Sequence, residues 1–219
     1  MKILFLIALL TCSLCATAQS YLGDEGHCVA RFDSLARIAM AAEDQANFAV
    51  YMGDSIPSCF VGEHIPASEL ITIQGDTVRT DERDRPYVLY FTASWCGPCV
   101  SSTQALNVVM DSLQPAIDFF VLSWDQADYF AKNANKYHDG LYLIPSKEAA
   151  PSSSSVHYDA IRHEFGFPSV YVVNAEHEIV SFQRGAAMPL ELPDGRIISE
   201  TEALRNNIDR WITNLATID

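Results

Sequence analysis

Residues 86–99 read Pro86-Tyr-Val-Leu-Tyr-Phe-Thr-Ala93-Ser-Trp95-Cys96-Gly97-Pro98-Cys99. The first eight form a continuous apolar, β-prone run, as expected of a strand covered on both faces. Pro98 suits the first turn of a helix, where its missing N–H costs nothing. Val100, Leu106, Val109, Met110 and Leu113 then fall on one side of a helix predicted over 98–113. The two cysteines therefore stand where a buried strand hands over to a helix. There the unsatisfied backbone N–H groups and the helix dipole favour an anion at Cys96. A thiolate is such an anion, so Cys96 is the expected nucleophile. Gly97 leaves room for a partner backbone to approach the sulfur. Cys99 lies one turn further in, where helical i,i+3 Cβ atoms are about 5–6 Å apart. A relaxed disulfide wants roughly 3.8 Å, so closing the bond distorts the first turn and makes it readily reducible.

A Cys-x-x-Cys beside a strand-helix pattern reads first as redox chemistry. Zinc would need two further ligands; Cys59 with His64 are the available ones, and there is no second Cys-x-x-Cys. His27, His64, His138, His157, His163 and His177 are scattered without metal-ligand spacing, so no metal is expected. Neither a Gly-rich phosphate loop nor a Ser-His-Asp constellation stands out, and no cofactor is expected.

Working outward, residues 117–124 read as a second buried strand, followed by a polar helix near 126–136. Residues 138–157, with Pro145, Pro151 and the Ser152–Ser155 tract, read as a long loop. A short helix near 157–165 is expected next, then strands at 169–173 and 178–183. Ser199 with Glu202 forms a capping box for a closing helix carrying Leu204, Ile208, Trp211, Ile212 and Leu215. Upstream, Leu70–Ile73 and Thr77–Thr80 flank Gln74-Gly75-Asp76, a hairpin signal. Residues 28–43 read as an amphipathic helix facing inward through Phe32, Leu35, Ile38, Ala39 and Ala42, and 53–66 as a turn-rich passage. Strand-helix-strand, helix, strand pair and terminal helix describe an α/β domain with a mixed sheet.

The chain has 219 residues, 14 Lys+Arg against 28 Asp+Glu, and a formal charge of −14. That balance argues against a phosphate-tracking nucleic-acid binder and against a polybasic membrane-surface protein. With 49% hydrophobic and 19% charged residues the chain is of globular composition. Met1-Lys2, a short apolar run to Leu10 and Ala16-Thr17-Ala18 read as a secretory signal peptide over 1–18. A lipoprotein reading at Cys12 or Cys15 ranks second. Cleavage after Ala18 leaves Cys28, Cys59, Cys96 and Cys99 and no membrane-spanning segment. The periplasm, or another exported location, is the expected destination, and it is oxidising.

Residues 95–99 match the active-site motif of thioredoxin itself. Gly62 to Pro66, the hairpin at Gly75-Asp76 and Gly166-Phe167-Pro168-Ser169 further resemble the exported TlpA/ResA-like thiol-disulfide oxidoreductases. The resemblance spans about 61–216. It implies a thioredoxin fold: a central mixed sheet flanked by helices, with an N-terminal hairpin. The expected division is a small helical extension at 19–60 and the thioredoxin-like domain at 61–219. The resemblance also implies a cis Pro168 facing the cysteines, with Trp95, Gly97, Pro98, Phe167 and Pro168 forming the substrate rim. Two family carboxylates are replaced, by Tyr90 and by Ser102. Asp125 could support proton transfer through water, although a loop Asp capping the next helix is the alternative. Trp124 reads as packing.

Cys28 and Cys59 both lie in the extension, and a bridge between them would staple it; two free thiols, one resolving Cys96, remain the alternative. The expected function is reduction of disulfides in client proteins by Cys96 and Cys99, with electrons from a periplasmic or membrane donor. Its rivals are a disulfide oxidase or isomerase, a Cu(I)-handling protein using the same two thiolates, and a binding module with an incidental dithiol.

Overall fold

In the computed structural model, residues 27–113, 117–147, 155–186, 190–192 and 194–216 are described. The signal sequence expected at 1–18 and the serines at 152–154 lie outside them. Helix α1 (Cys28–Ala41) leads to α2 (Gln45–Val50), a π turn over Tyr51–Ser55 and α3 (Ile56–Ser58). A hairpin of β1 (Glu69–Ile71) and β2 (Thr77–Arg79) precedes β3 (Tyr87–Thr92), α4 (Gly97–Leu113), β4 (Asp118–Gln126), α5 (Ala127–Lys132) and β5 (Tyr142–Ser146). A second hairpin, β6 (Val156–Tyr158) with β7 (Ile161–His163), is followed by β8 (Ser169–Val173) and β9 (Ile179–Arg184). A short ribbon of β10 (Leu190–Glu191) and β11 (Ile197–Ile198) ends at α6 (Glu200–Ala216).

The central sheet has five strands in the order β5-β4-β3-β8-β9. β3, β4 and β5 run parallel, while β8 and β9 are antiparallel to their neighbours. Every residue of β3 is buried, which is why its sequence does not alternate. Val88 and Tyr90 face one apolar layer, with Leu106 and Met110 of α4, Phe130 of α5 and Leu204 of α6. Tyr87, Leu89 and Phe91 face the other, with Leu70, Val78, Tyr158 and Ile161 from the two hairpins and Phe60 from beyond α3. The expected mixed sheet between helices is thus present, and Glu202 N–H donates to Ser199 Oγ at 3.1 Å as the capping motif requires.

Several local expectations are corrected. Residues 53–58 continue the helix rather than turning. The π turn, in which the Ile56 N–H reaches back to Tyr51 O, widens the coil just before Pro57. The inward face of α1 is Val29, Phe32, Ala36 and Ala39, while Ile38 is 63% exposed and Ala42 is exposed. On α4, Val100 faces out. Residues 142–146 form a strand inside the expected loop. Pro145 is tolerated there because β5 is the sheet's last strand and needs no second ladder. The helix expected near 157–165 is the β6–β7 hairpin, turned at Asp159 with φ of +57°.

Residues 28–60 are closed on themselves by a disulfide and packed onto the sheet through Phe60. Phe60 is fully buried, 4.8 Å from the Phe165 ring and 4.3 Å from the Phe182 ring. Cys28 and Cys59, 31 positions apart, are joined by a disulfide with Cα atoms 5.8 Å apart. Closing a loop of that length stabilises by roughly 3–4 kcal/mol in the chain-entropy account. The double variant Cys28→Ser/Cys59→Ser should therefore lose about that much in urea unfolding of the oxidised protein; an unchanged midpoint would show that packing alone holds the extension.

Candidate active site

The site is built at the junction of β3 and α4. The strand ends at Thr92, the Cys96 N–H returns to Ala93 O at 3.1 Å, and α4 starts at Gly97. The Cys99 N–H points back at Cys96, 3.0 Å from its carbonyl oxygen and 3.2 Å from its sulfur. The Val100 N–H adds a bond to Cys96 O at 3.2 Å. Sulfur 96 thus sits at the first turn of α4, where the positive end of the helix dipole favours a negative charge. Cys96 and Cys99 are joined, with Cα atoms 5.2 Å apart, and are 6% and 1% exposed. Above them Gly97 and Pro98 are exposed. A side chain added at Gly97 would meet nothing within 4 Å, so a partner backbone has open access.

An aromatic rim surrounds the pair. Trp95, 63% exposed, stands edge-on to Trp124 at 5.7 Å and to Phe167 at 5.8 Å. Trp124 and Phe167 are themselves packed against Ala93, Cys96 and Cys99. Trp124, expected only to fill the core, therefore borders the disulfide. Edge-to-face ring pairs of this kind hold their geometry beyond simple area burial, so the rim is a shaped apolar surface beside the sulfurs.

The Phe167–Pro168 bond is cis, and the loop that carries it is held from below by polar groups. Gly166 O accepts from His163 Nε2 at 2.8 Å and from Ser169 Oγ at 2.9 Å. A carbonyl only accepts, so His163 carries its proton on Nε2, leaving Nδ1 to accept from the Tyr171 hydroxyl at 3.3 Å. The His163 ring stacks on Phe91 at 4.1 Å and is completely buried. Arg184 Nε donates to Phe165 O at 2.8 Å, and Gly185 N–H to Pro168 O at 2.8 Å. His163 had no metal-type spacing to single it out; its only sequence signal is its place in the loop leading to Pro168.

Asp125 is buried at the end of β4, and three donors occupy its carboxylate. Ser94 N–H and Ser123 Oγ reach Oδ2, each at 2.8 Å, and Ser94 Oγ reaches Oδ1 at 2.7 Å. It fastens the loop two residues before Cys96 rather than capping α5, at whose N-terminus no side chain bonds. At the two positions where the resembled family carries carboxylates, Tyr90 is buried and Ser102 donates to Glu200 Oε1 at 3.2 Å. Trp95, Gly97, Pro98 and Phe167 thus gather around Cys96 and Cys99, with Pro168 next in chain and Asp125 one hydrogen bond behind. Cys28 and Cys59 lie apart, in the extension.

No family model matches the chain. It is 26% identical over 141 residues to tryparedoxin from Trypanosoma brucei brucei, covering 62% of this chain and 93% of that protein. A solved candidate protein disulfide isomerase from Bacteroides thetaiotaomicron superposes with a TM-score of 0.50 at 17% identity, covering 70% of this chain and 90% of its own. A thiol:disulfide interchange protein from Bacteroides sp. gives a TM-score of 0.49 at 16% identity, covering 70% and 90%. The fold is a thioredoxin fold, with the cysteine pair at the strand-helix junction of its central sheet.

Burial lowers the His163 pKa from 6.5 to about 4, so the ring is neutral when folded near pH 7. Unfolded, it binds a proton at about pH 6.5. Its contribution to stability is therefore complete above pH 6.5, falls as pH drops from 6.5 to 4, and changes no further below. The shift corresponds to on the order of 3 kcal/mol. His163→Gln should lose much of the stability difference between pH 7 and pH 4.5 that urea unfolding records for the native sequence. Equal pH dependence in both proteins would place that difference elsewhere.

Proposed function

We propose that this thioredoxin-fold chain is an exported thiol-disulfide oxidoreductase that reduces disulfides in client proteins. The observation that carries the reading is the Cys99 N–H aimed at the Cys96 sulfur, at a helix start with open space above Gly97. In the reduced protein the Cys96 thiolate attacks one sulfur of a client disulfide, forming a mixed disulfide and releasing the other client sulfur as a thiolate. Cys99 then gives up its proton and attacks Cys96 Sγ. The second client thiol leaves, and the Cys96–Cys99 bond closes. Two electrons pass from the dithiol to the client. A thiol-bearing donor in the same compartment, soluble or membrane-bound, restores the dithiol by the reverse exchange.

The rim gives the client its place. An extended segment lies over Gly97 and Pro98, with its apolar side chains against Trp95 and Phe167. The backbone around Phe167-Pro168 pairs with it, held in place by His163 and Arg184. Asp125 keeps the Ser94–Cys96 loop in register. Reduction is the favoured direction because Gly97-Pro98 resembles the dipeptide of reducing members. Export rests on the signal-like residues 1–18, and no helix among the described residues is long and apolar enough to cross a membrane. Residues 19–60 serve as an extension that braces the domain at 61–219 through Phe60.

The order of attack is testable by trapping. Cys99→Ser should accumulate mixed disulfides with clients, Cys96→Ser should accumulate none, and either change should cut disulfide-reducing turnover by more than about a hundredfold. Adducts on the Cys96→Ser protein alone would reverse the assignment, and turnover that survives both changes would dismiss the dithiol as the reactive group.

A further inference from the structure

A cavity of about 260 Å³ lies behind the disulfide. Its walls include Thr92 and Ser94 from the end of β3, Cys99 and Thr103 from α4, and Lys136 and Tyr137 from the turn after α5. Cys99 is among the residues that line this space and is otherwise buried, 1% exposed. The exchange proposed above requires Cys99 to lose a proton, and a thiol in buried surroundings holds its proton tightly. None of the cavity walls carries a carboxylate. Asp125 is separated from it by Ser94, whose amide and hydroxyl both bond to it. Glu200 stands on the α6 side, bonded by Ser102.

The cavity is edged by hydroxyls instead. Thr103 Oγ1 donates to Cys99 O at 2.9 Å. The Thr92 and Thr103 hydroxyls lie beside both Tyr137 and Tyr90. Burial raises the pKa of both tyrosines, so both stay protonated near neutral pH and act as donors. The Thr92, Thr103 and Tyr137 hydroxyls around a space this size offer water both room and partners.

We propose that the Cys99 proton leaves through this cavity along water ordered by Tyr137. The inference rests on the dithiol reading and specifies its second step. With Cys96 Sγ bonded to the client sulfur, the Cys99 thiol passes its proton to cavity water. Its sulfur forms the bond to Cys96 Sγ as the Cys96–client bond breaks. The departing client thiolate takes a proton from solvent. Tyr137 is a positioning residue, since it touches neither client nor the Cys96 sulfur; its ring also packs edge-on against Phe130 at 5.3 Å, a contact that phenylalanine would keep.

The experiment uses the reduced full-length mature protein and one equivalent of 5,5′-dithiobis(2-nitrobenzoate) in stopped flow. The first thionitrobenzoate leaves as Cys96 attacks, and the second as Cys99 resolves. Tyr137→Phe should keep the first phase within about twofold and slow the second about tenfold at pH 7, moving its pH profile to higher pH. The proposal is overturned if Tyr137→Phe leaves the second phase and its pH profile unchanged, or slows both phases in proportion. It is also overturned if only Asp125→Asn slows the second phase, which would send the proton to the carboxylate through Ser94. Failure of the first phase in the unaltered protein would instead contradict Cys96 as nucleophile and leave the cavity question to the Cys99 step alone.

Discussion

The Cys99 N–H reaches the Cys96 sulfur because α4 begins within a few residues of the end of a strand that cannot move. β3 is buried along its whole length, between two apolar layers and between two neighbouring strands. Its end therefore fixes the start of the helix, and the helix start fixes the sulfurs. Free N–H groups must find acceptors at every helix N-terminus. Here one of them has a sulfur in reach at 3.2 Å. The chemistry thus follows from placement: the same two cysteines in mid-helix would lack both the dipole's positive end and the opening over Gly97.

The opposite wall of the site depends on a second buried constraint. The loop before β8 joins β7 to β8 within a tight core. Gly166 takes φ of +78°, and its carbonyl is held by His163 and Ser169. His163 works as a neutral donor because burial keeps its charged form out. The extension reaches the same wall, since Phe60 follows Cys59 directly and packs edge-on against Phe165. Arg184 joins the two by donating to Phe165 O and lying 3.8 Å from the Met52 sulfur. The Gly166–Pro168 loop is therefore pinned by polar groups, beside the apolar rim of Trp95, Trp124 and Phe167.

Sequence reading was most reliable where burial is two-sided or where a cap is explicit, as in β3, β4, β8 and the Ser199 start of α6. It failed where tertiary position overrides local signals. Residues 142–146 contain a proline that a central strand would exclude, and only their place at the sheet edge admits it. Residues 156–163 carry too few residues per strand to separate a hairpin from a helical turn. The face of α1 was misjudged at Ile38, because what the helix packs on is set by the Cys28–Cys59 staple and Phe60, not by its own periodicity. The cysteine pair is legible from its place where a buried strand meets a helix, more than from its spacing. Its surroundings are not: Trp124 looks like core until it packs on the disulfide, His163 like any isolated histidine until it bonds Gly166 O, and Tyr137 like a loop aromatic until it shares a cavity wall with Cys99.

The claim that the β3–α4 junction sets the chemistry is tested most directly by the relative reactivity of the two thiols. The reduced mature protein would be treated with limiting iodoacetamide at pH 7, and the modified cysteine identified by peptide mass at early times. The account predicts that Cys96 is alkylated at least about tenfold faster than Cys99, since a thiolate is the reacting form and only Cys96 meets the helix N-terminus. Equal rates, or Cys99 modified first, would contradict it.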